Sequence, residues 1–404
     1  MAILHINSFN HGSTGSIMRE LDEMLCQNGI KSYIAVPNSN SNKFVESSDN
    51  QILIGNRIDR NIHLSLSRIN GKGGMYSHYI TKKFIRNIEK LKIKIIHIHN
   101  LHNSYINLIE LVSYINKNDI KVIWTFHDCW PITGGCTHFT NAECHKWESE
   151  CERCPINNLY YPKSIMDNTN KMFKMKKKLF NEINNLEIVV PSKWLKNIVN
   201  KSFLKNKSVH LINNGIDLNI FKPVASKKFN TKKKIILGVS NIWNEKKGLN
   251  TFIELSNMLD ENLYQVILVG VSKSQKEKLP SNILGIERIR SKEELASIYS
   301  SADVFVNASI EETAGLVTLE SLACGTPVIV TNSTAITEFT SKRTSKVIQN
   351  GTTEEFHEEI IKYFKEDEKL QEFDCIERAH QFSIDVMKNK YFELYNNLLG
   401  EDNV

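Results

Sequence analysis

Ser309-Ile-Glu-Glu-Thr-Ala-Gly-Leu-Val-Thr-Leu-Glu-Ser-Leu-Ala-Cys-Gly-Thr-Pro-Val-Ile-Val330 joins two apolar runs through two adjacent carboxylates, a glycine and an amphipathic stretch. Ala302–Asn307 before it reads as a short buried strand, and the Gly-Thr-Pro turn leads into another. The order strand, loop, helix, turn, strand is one βαβ unit. With a helix start near Thr313, the unpaired backbone N–H groups belong to Ala314–Val317 and face the space above the strand end, where an anion is favoured. Glu312 stands in the loop and Glu320 two turns into the helix, so a phosphate cradle has a carboxylate on each side.

The same alternation extends in both directions. Toward the N-terminus, strands are expected at Ala2–Asn7, Ser32–Pro37, Lys92–His99, Lys121–His127, Glu187–Pro191 and Val209–Asn213, with helices between them. Residues 38–90 are polar and basic and read as a surface region with two helical patterns around Gly71–Gly74. Gly12 and Gly15, in the loop after the first strand, let backbone approach a ligand at a helix N-terminus, or simply make a tight turn. Strands continue at Lys234–Val239, Gln265–Val269, Ile286–Ile289 and Lys346–Gln349. The fold class is therefore α/β, with two parallel-sheet Rossmann-like domains. Val224–Lys234, Lys/Ser-rich and aperiodic, marks the boundary: residues 1–223, residues 224–382, and a last helix in 383–404.

At 404 residues two cores are the default. The charge of +6 fits an anionic ligand, nucleic acid or an anionic membrane face without choosing among them. No apolar run approaches the ~18–20 residues of a membrane span, and Met1–Asn7 reads as a strand rather than a signal peptide, so the expected location is cytoplasmic. One loop breaks the alternation. Cys129–Pro162 carries Cys136, Cys144, Cys151 and Cys154 in the spacing C-x7-C-x6-C-x2-C. Four thiolates can close a tetrahedral zinc site, His138 and His145 being substitute ligands; four reduced, partly buried cysteines are the alternative. The Lys-rich span 171–178 reads as a solvated helix face, or as a contact for anionic lipid headgroups.

The segment around Glu312-x7-Glu320 resembles the signature of retaining glycosyltransferases of family 4, with the GT-B fold. Gly12-Ser-Thr-Gly15, His127-Asp128, Val-Pro-Ser192, Asn-Asn-Gly-Ile-Asp217 and Lys247-Gly248 agree with it in order and spacing, and the Cys-rich loop resembles a subset of bacterial surface-polysaccharide transferases. The resemblance implies two domains facing across a cleft and a hexosyltransferase acting in O-antigen, lipopolysaccharide, capsule or exopolysaccharide synthesis. The donor is a UDP- or GDP-sugar and the acceptor a lipid-linked saccharide, with peripheral contact at the inner membrane face and no nucleic acid partner. Glu320 binds the ribose and Glu312 the transferred sugar. Lys247 and the Gly315, Leu316 and Val317 backbone hold the diphosphate, His127 lies near sugar and acceptor, and the last helix crosses back onto the first domain. No catalytic cofactor is required, because fixed N–H groups and a lysine meet the leaving-group charge.

Three departures stand out. The family's arginine is missing from Gly238-Val-Ser-Asn-Ile-Trp243, where Lys246 is the available substitute; Thr334-Ala335 replaces a Gly-Gly; and Ala314 stands where an aromatic is common. A catalytically inactive scaffold is the rival reading, followed by a zinc-dependent nucleic-acid binder, whose basic residues should cluster on one face.

Overall fold

The computed structural model describes residues 2–43, 50–156, 164–225, 228–289, 291–366 and 370–400. The end of the Cys-rich loop (157–162) and the tail 401–404 lie outside them. The chain forms two compact units, Met1–Asn213 with Lys388–Val404, and Asn214–Met387.

The first unit is a seven-stranded sheet of β1 (Ala2–Ile6), β2 (Lys31–Pro37), β3 (Gln51–Ile54), β4 (Ile93–Ile98), β5 (Lys121–Thr125), β6 (Leu186–Val190) and β7 (Ser208–Leu211). Its order is β3-β2-β1-β4-β5-β6-β7, with every pairing parallel. The two helical patterns expected around Gly71–Gly74 form the helices Arg57–Asn70 and His78–Glu89, and the strand β3 precedes them where none was expected. β3 was hidden because Gln-Ile-Leu-Ile is short and sits at an edge, where one side needs no apolar partner. The interior strands are buried on both faces, as parallel sheets require. Leu4, Ile6, Ile96, Ile98, Val122 and Trp124 point into one continuous core. The odd-numbered positions of the same strands face the other way.

The second unit is a six-stranded parallel sheet: β8 (Lys234–Val239), β9 (Tyr264–Val269), β10 (Ile283–Ile286), β11 (Val304–Asn307), β12 (Val328–Thr331) and β13 (Ser345–Ile348), in the order β10-β9-β8-β11-β12-β13. β10 lies three residues before its expected position, since Ile283–Ile286 is what registers with Val266–Val269. Each order reverses once, between β1 and β4 and between β8 and β11. Doubly wound sheets bind ligands above the strand ends at such a reversal. The loops there follow β1 and β4 in one unit, and β8 and β11 in the other.

Glycines serve close approaches as well as turns. At Gly215, in the Asn213–Asp217 turn, φ is not positive; a Cβ would stand 2.4 Å from Ile384 Cα, so the close approach is what requires glycine. The last helix, Ile384–Gly400, begins there and ends in the first unit. Within that unit Lys388 pairs with Glu20, Tyr391 meets Thr125 and Lys121 donates to the Leu398 carbonyl. No described helix is long and apolar enough to cross a membrane.

Candidate functional site

In the second unit the reversal point gathers four charges. The loop after β8 ends in a 3-10 turn, Glu245–Lys247, capped by the Asn244 side chain. Gly248 follows at φ +77, where a Cβ would stand 2.6 Å from that of Ala308, so only glycine lets this turn press against the loop after β11. The contact aligns consecutive lysines with consecutive glutamates. Lys246 Nζ donates to Glu311 Oε2 at 2.5 Å, and Lys247 Nζ donates to Glu312 Oε1. Glu311 is buried and the Ile310 N–H bonds the Lys246 carbonyl, so the first pair fastens the two loops together. Lys246, the expected substitute for the missing arginine, is thus engaged with Glu311.

The helix after this loop runs Leu316–Ala323, starting later than the expected Thr313. Gly315 is its left-handed N-cap at φ 53, a conformation that stops helical backbone from extending back through Ala314. Its first hydrogen bond is Thr318 N–H to the Gly315 carbonyl. The amides of Gly315, Leu316 and Val317 therefore precede the helical ladder, where backbone N–H groups favour an anion. Glu320 lies on this helix and accepts a 2.9 Å hydrogen bond from the Tyr299 hydroxyl. Burial pushes its carboxyl up to about 7, against the Tyr299 hydrogen bond and the charge of Lys292. Thr334, in place of a family glycine, adopts φ 45, and its hydroxyl accepts the Glu312 N–H at 2.9 Å. A β-branched residue pays for that conformation in strain, so this hydrogen bond holds the Glu312 loop at a cost.

In the first unit Gly12 has φ +70 and open space around it. A Cβ on Gly15 would stand 2.6 Å from the Asn10 carbonyl carbon, so Gly15 lets the helix Gly12–Gln27 fold against its own leading loop. His127 follows β5 and lies beside Asp128, which accepts from His102 at 3.0 Å and from the Trp130 N–H at 2.8 Å. Burial alone would raise the Asp128 carboxyl; His102 and these hydrogen bonds hold it below its ordinary value.

Sequence reading missed the histidines under His127. His5, His97 and His99 are buried and share its sheet face, with His5 opposite His97 in the β1–β4 register. His97 Nδ1 meets the Tyr395 hydroxyl at 2.5 Å and Nε2 meets Thr125 Oγ1 at 2.8 Å. His99 bridges His5 and His127. The signal available was His-x-His inside an apolar strand, which puts both rings on one face. Among the described residues, His5, His97 and His99 are the group of ligand-type side chains whose donor atoms all lie within 4.8 Å. Hydrogen bonds to one another, Tyr395 and Thr125 account for that closeness.

The four cysteines of the loop line one cavity of about 20 Å³ with Gly134, Phe139 and Trp147. The Gly134 N–H donates to Cys151 Sγ at 3.3 Å. Among the described residues no three of the four sulfurs come within 4.8 Å of one another. Burial pushes the Cys136 thiol up to about 12 and that of Cys151 to about 11. His145 lies outside this cavity, 3.5 Å from Glu148. Beneath the loop Lys176 is fully buried, donating to the Trp130 and Thr133 carbonyls at 2.7 and 3.1 Å with its ammonium 3.5 Å from the Trp130 ring. This member of the Lys-rich span therefore belongs to the interior, contrary to the solvated face expected there.

Comparison with known proteins divides the chain seven residues past the boundary between the two units. Residues 15–220 match the model of Glycosyltransferase Family 4, and residues 221–381 that of Glycosyl transferases group 1. An Escherichia coli glycosyl transferase assigned by name to colanic acid biosynthesis, WcaC, is 26% identical over 322 residues, covering 75% of this chain and 76% of that protein. Sucrose-phosphate synthase from Thermosynechococcus elongatus superposes with a TM-score of 0.72 at 17% identity, over 99% of this chain and 100% of that one. HepE from Anabaena, in complex with UDP-glucose, gives 0.68 at 13% identity, over 98% and 100%.

Proposed function

The chain belongs to glycosyltransferase family 4, group 1, and from that premise we propose that it moves a sugar, with retention of anomeric configuration, from a nucleotide sugar to a lipid-linked saccharide of surface-polysaccharide assembly. Its fold is GT-B, two Rossmann-like parallel-sheet domains, and its class is glycosyl transfer. The observation that carries the finer reading is the ion pair that Lys247 makes with Glu312 in the loop after β11, three residues before the left-handed Gly315 cap whose following amides start the helix, at the reversal point of the second sheet.

In this reading the diphosphate lies on those amides and takes Lys247 as its cation. Glu312 then accepts from hydroxyls of the transferred sugar. Glu320, in its ionised form, accepts both ribose hydroxyls. As the anomeric C–O bond breaks, negative charge grows on the diphosphate while the sugar becomes oxocarbenium-like; donors fixed beforehand stabilise that charge without reorganising. The acceptor oxygen attacks from the same face, and its proton passes to the departing phosphate. His127 contacts the sugar end of the donor.

A surface on the first unit supports peripheral contact with an anionic membrane. The helix Arg57–Asn70 exposes Ile58, Ile62 and Ile69 along one stripe. Ile165 and Met166, also exposed, are joined to its end by backbone bonds to the Arg68 and Ile69 carbonyls. Arg57 and Arg68 flank the stripe, and an apolar strip edged with cations suits an anionic lipid surface.

A calorimetric and thermal-shift panel of UDP- and GDP-sugars tests the donor assignment. One nucleotide class is expected to bind and to raise Tm; binding by neither overturns the reading.

A further inference from the structure

Three imidazoles in the first unit form a single hydrogen-bonded chain. His127 Nε2 lies 3.1 Å from His99 Nδ1, with the rings 11° from parallel and their centroids 5.4 Å apart. His99 Nε2 lies 3.3 Å from His5 Nδ1. His5 Nε2, at the inner end, is buried and has no hydrogen-bond partner. Burial holds His5 and His127 down to about 4 and His99 well below its ordinary value, so all three rings are neutral at physiological pH.

A neutral imidazole carries one N–H and one lone pair. Each link uses one of each, so the whole chain runs in one direction. If the hydrogens point inward from His127, the chain ends in a buried N–H on His5 with nothing to receive it. If they point outward, it ends in a buried lone pair. A stranded N–H is the costlier and rarer of the two. Asp22 is the charged group that acts on His5, but both its oxygens accept from Asn50 Nδ2, at 3.0 and 2.9 Å, and it makes no bond to His5 Nε2. The outward direction places a hydrogen on His5 Nδ1, on His99 Nδ1 and on His127 Nδ1.

We propose that His99 and His5 are positioning residues that lock His127 as its Nδ1–H tautomer, so that His127 meets the transferred sugar as a hydrogen-bond donor and takes no part as a base. The sugar as its partner rests on the function proposed above; the tautomer rests on the hydrogen-bond chain alone. With His127 Nε2 occupied by His99, the acceptor hydroxyl's proton has to leave by another route. The balance is then complete without His127: the acceptor O–H and the anomeric C–O bond break, the new glycosidic bond forms, and the departing diphosphate oxygen takes the proton.

Protein labelled with ¹⁵N at histidine, studied by long-range ¹H–¹⁵N correlation between pH 5.5 and 8.5, tests this directly, His127 signals being those lost in His127→Gln. The expected spectrum has a protonated Nδ1, a bare Nε2 and no titration. A hydrogen on Nε2 of His127 in the unaltered protein overturns the proposal, whatever the turnover. His99→Leu is expected to release His127 to the ordinarily favoured Nε2–H form and to lower kcat roughly tenfold, the worth of one neutral hydrogen bond, with donor KM unchanged. His99→Gln, whose amide can still donate, should restore most of the rate. An unchanged kcat in a folded His99→Leu variant removes the positioning role. An Nδ1–H spectrum in a protein that binds no nucleotide sugar upholds the tautomer and overturns the functional reading instead.

Discussion

Lys247 and Glu312 form an ion pair across 65 residues of sequence, next to the parallel pair of Lys246 with Glu311. The two pairs differ in burial. Glu311 is almost fully enclosed, whereas Lys247 and Glu312 keep part of their surface in water. The inner pair suits a structural fastening, and the outer pair suits exchange with a ligand.

Lys247→Ala should therefore act on the donor. Losing a charge-assisted contact to the diphosphate costs about 2–3 kcal/mol, which is a rise of roughly 30- to 150-fold in donor Kd. Lys246→Ala should instead lower Tm, because it strands the buried Glu311. Calorimetry and thermal melts on the two variants separate these roles; equal effects on binding would contradict the division.

Glu320 gives a pH signature. Its carboxyl is raised to about 7, chiefly by burial. Only the carboxylate accepts both ribose hydroxyls, so donor affinity should rise between pH 6 and 8, by roughly tenfold for one proton. Stability runs the other way. Between the unfolded carboxyl's range and 7 the folded state holds the extra proton, so this group's contribution falls as pH rises through that window. Glu320→Gln should flatten both trends, and a pH-dependent affinity that persists in the variant would assign it elsewhere.

The exposed isoleucine stripe predicts lipid binding. Sedimentation with anionic vesicles should carry the protein down, and uncharged phosphatidylcholine vesicles should not. Ile62→Glu with Ile69→Glu places charge in the apolar strip and should abolish binding with Tm unchanged, since both side chains are exposed. Equal binding to both vesicle types would argue against this surface.

The Cys-rich loop makes two predictions. Closing a zinc site requires the four sulfurs around the cavity to turn inward toward one ion. Elemental analysis should find one zinc per chain, lost in the Cys151→Ser, Cys154→Ser double variant; zinc-free protein with normal Tm would leave four reduced thiols. Lys176 titrates in the same region. Its ammonium is pushed down to about 7 by burial, so the unfolded chain binds the extra proton between 7 and the ordinary lysine range, and stability from this group rises with pH there. Lys176→Met should remove that rise, while losing the donor to two buried carbonyls.

The sequence by itself determined the period-2 and period-3.6 alternation, and with it two parallel sheets, twelve of the thirteen strands found among the described residues and the motif around Glu312 and Glu320. These are local properties: a buried parallel strand must be apolar, and a helix beginning after a strand must expose its first amides. Long-range decisions needed the fold. Gly315 rather than Thr313 sets where the helix after β11 begins, because a left-handed residue interrupts it. Lys246 engages Glu311, and Lys176 turns inward, because partners 65 and more than 40 residues away arrive beside them. His5 and His97 stand in β1 and β4, His99 and His127 just past the ends of β4 and β5, and only these strands lying side by side brings their rings together. Spacing along a chain specifies the face on which a side chain stands; the register between strands specifies which side chains meet there.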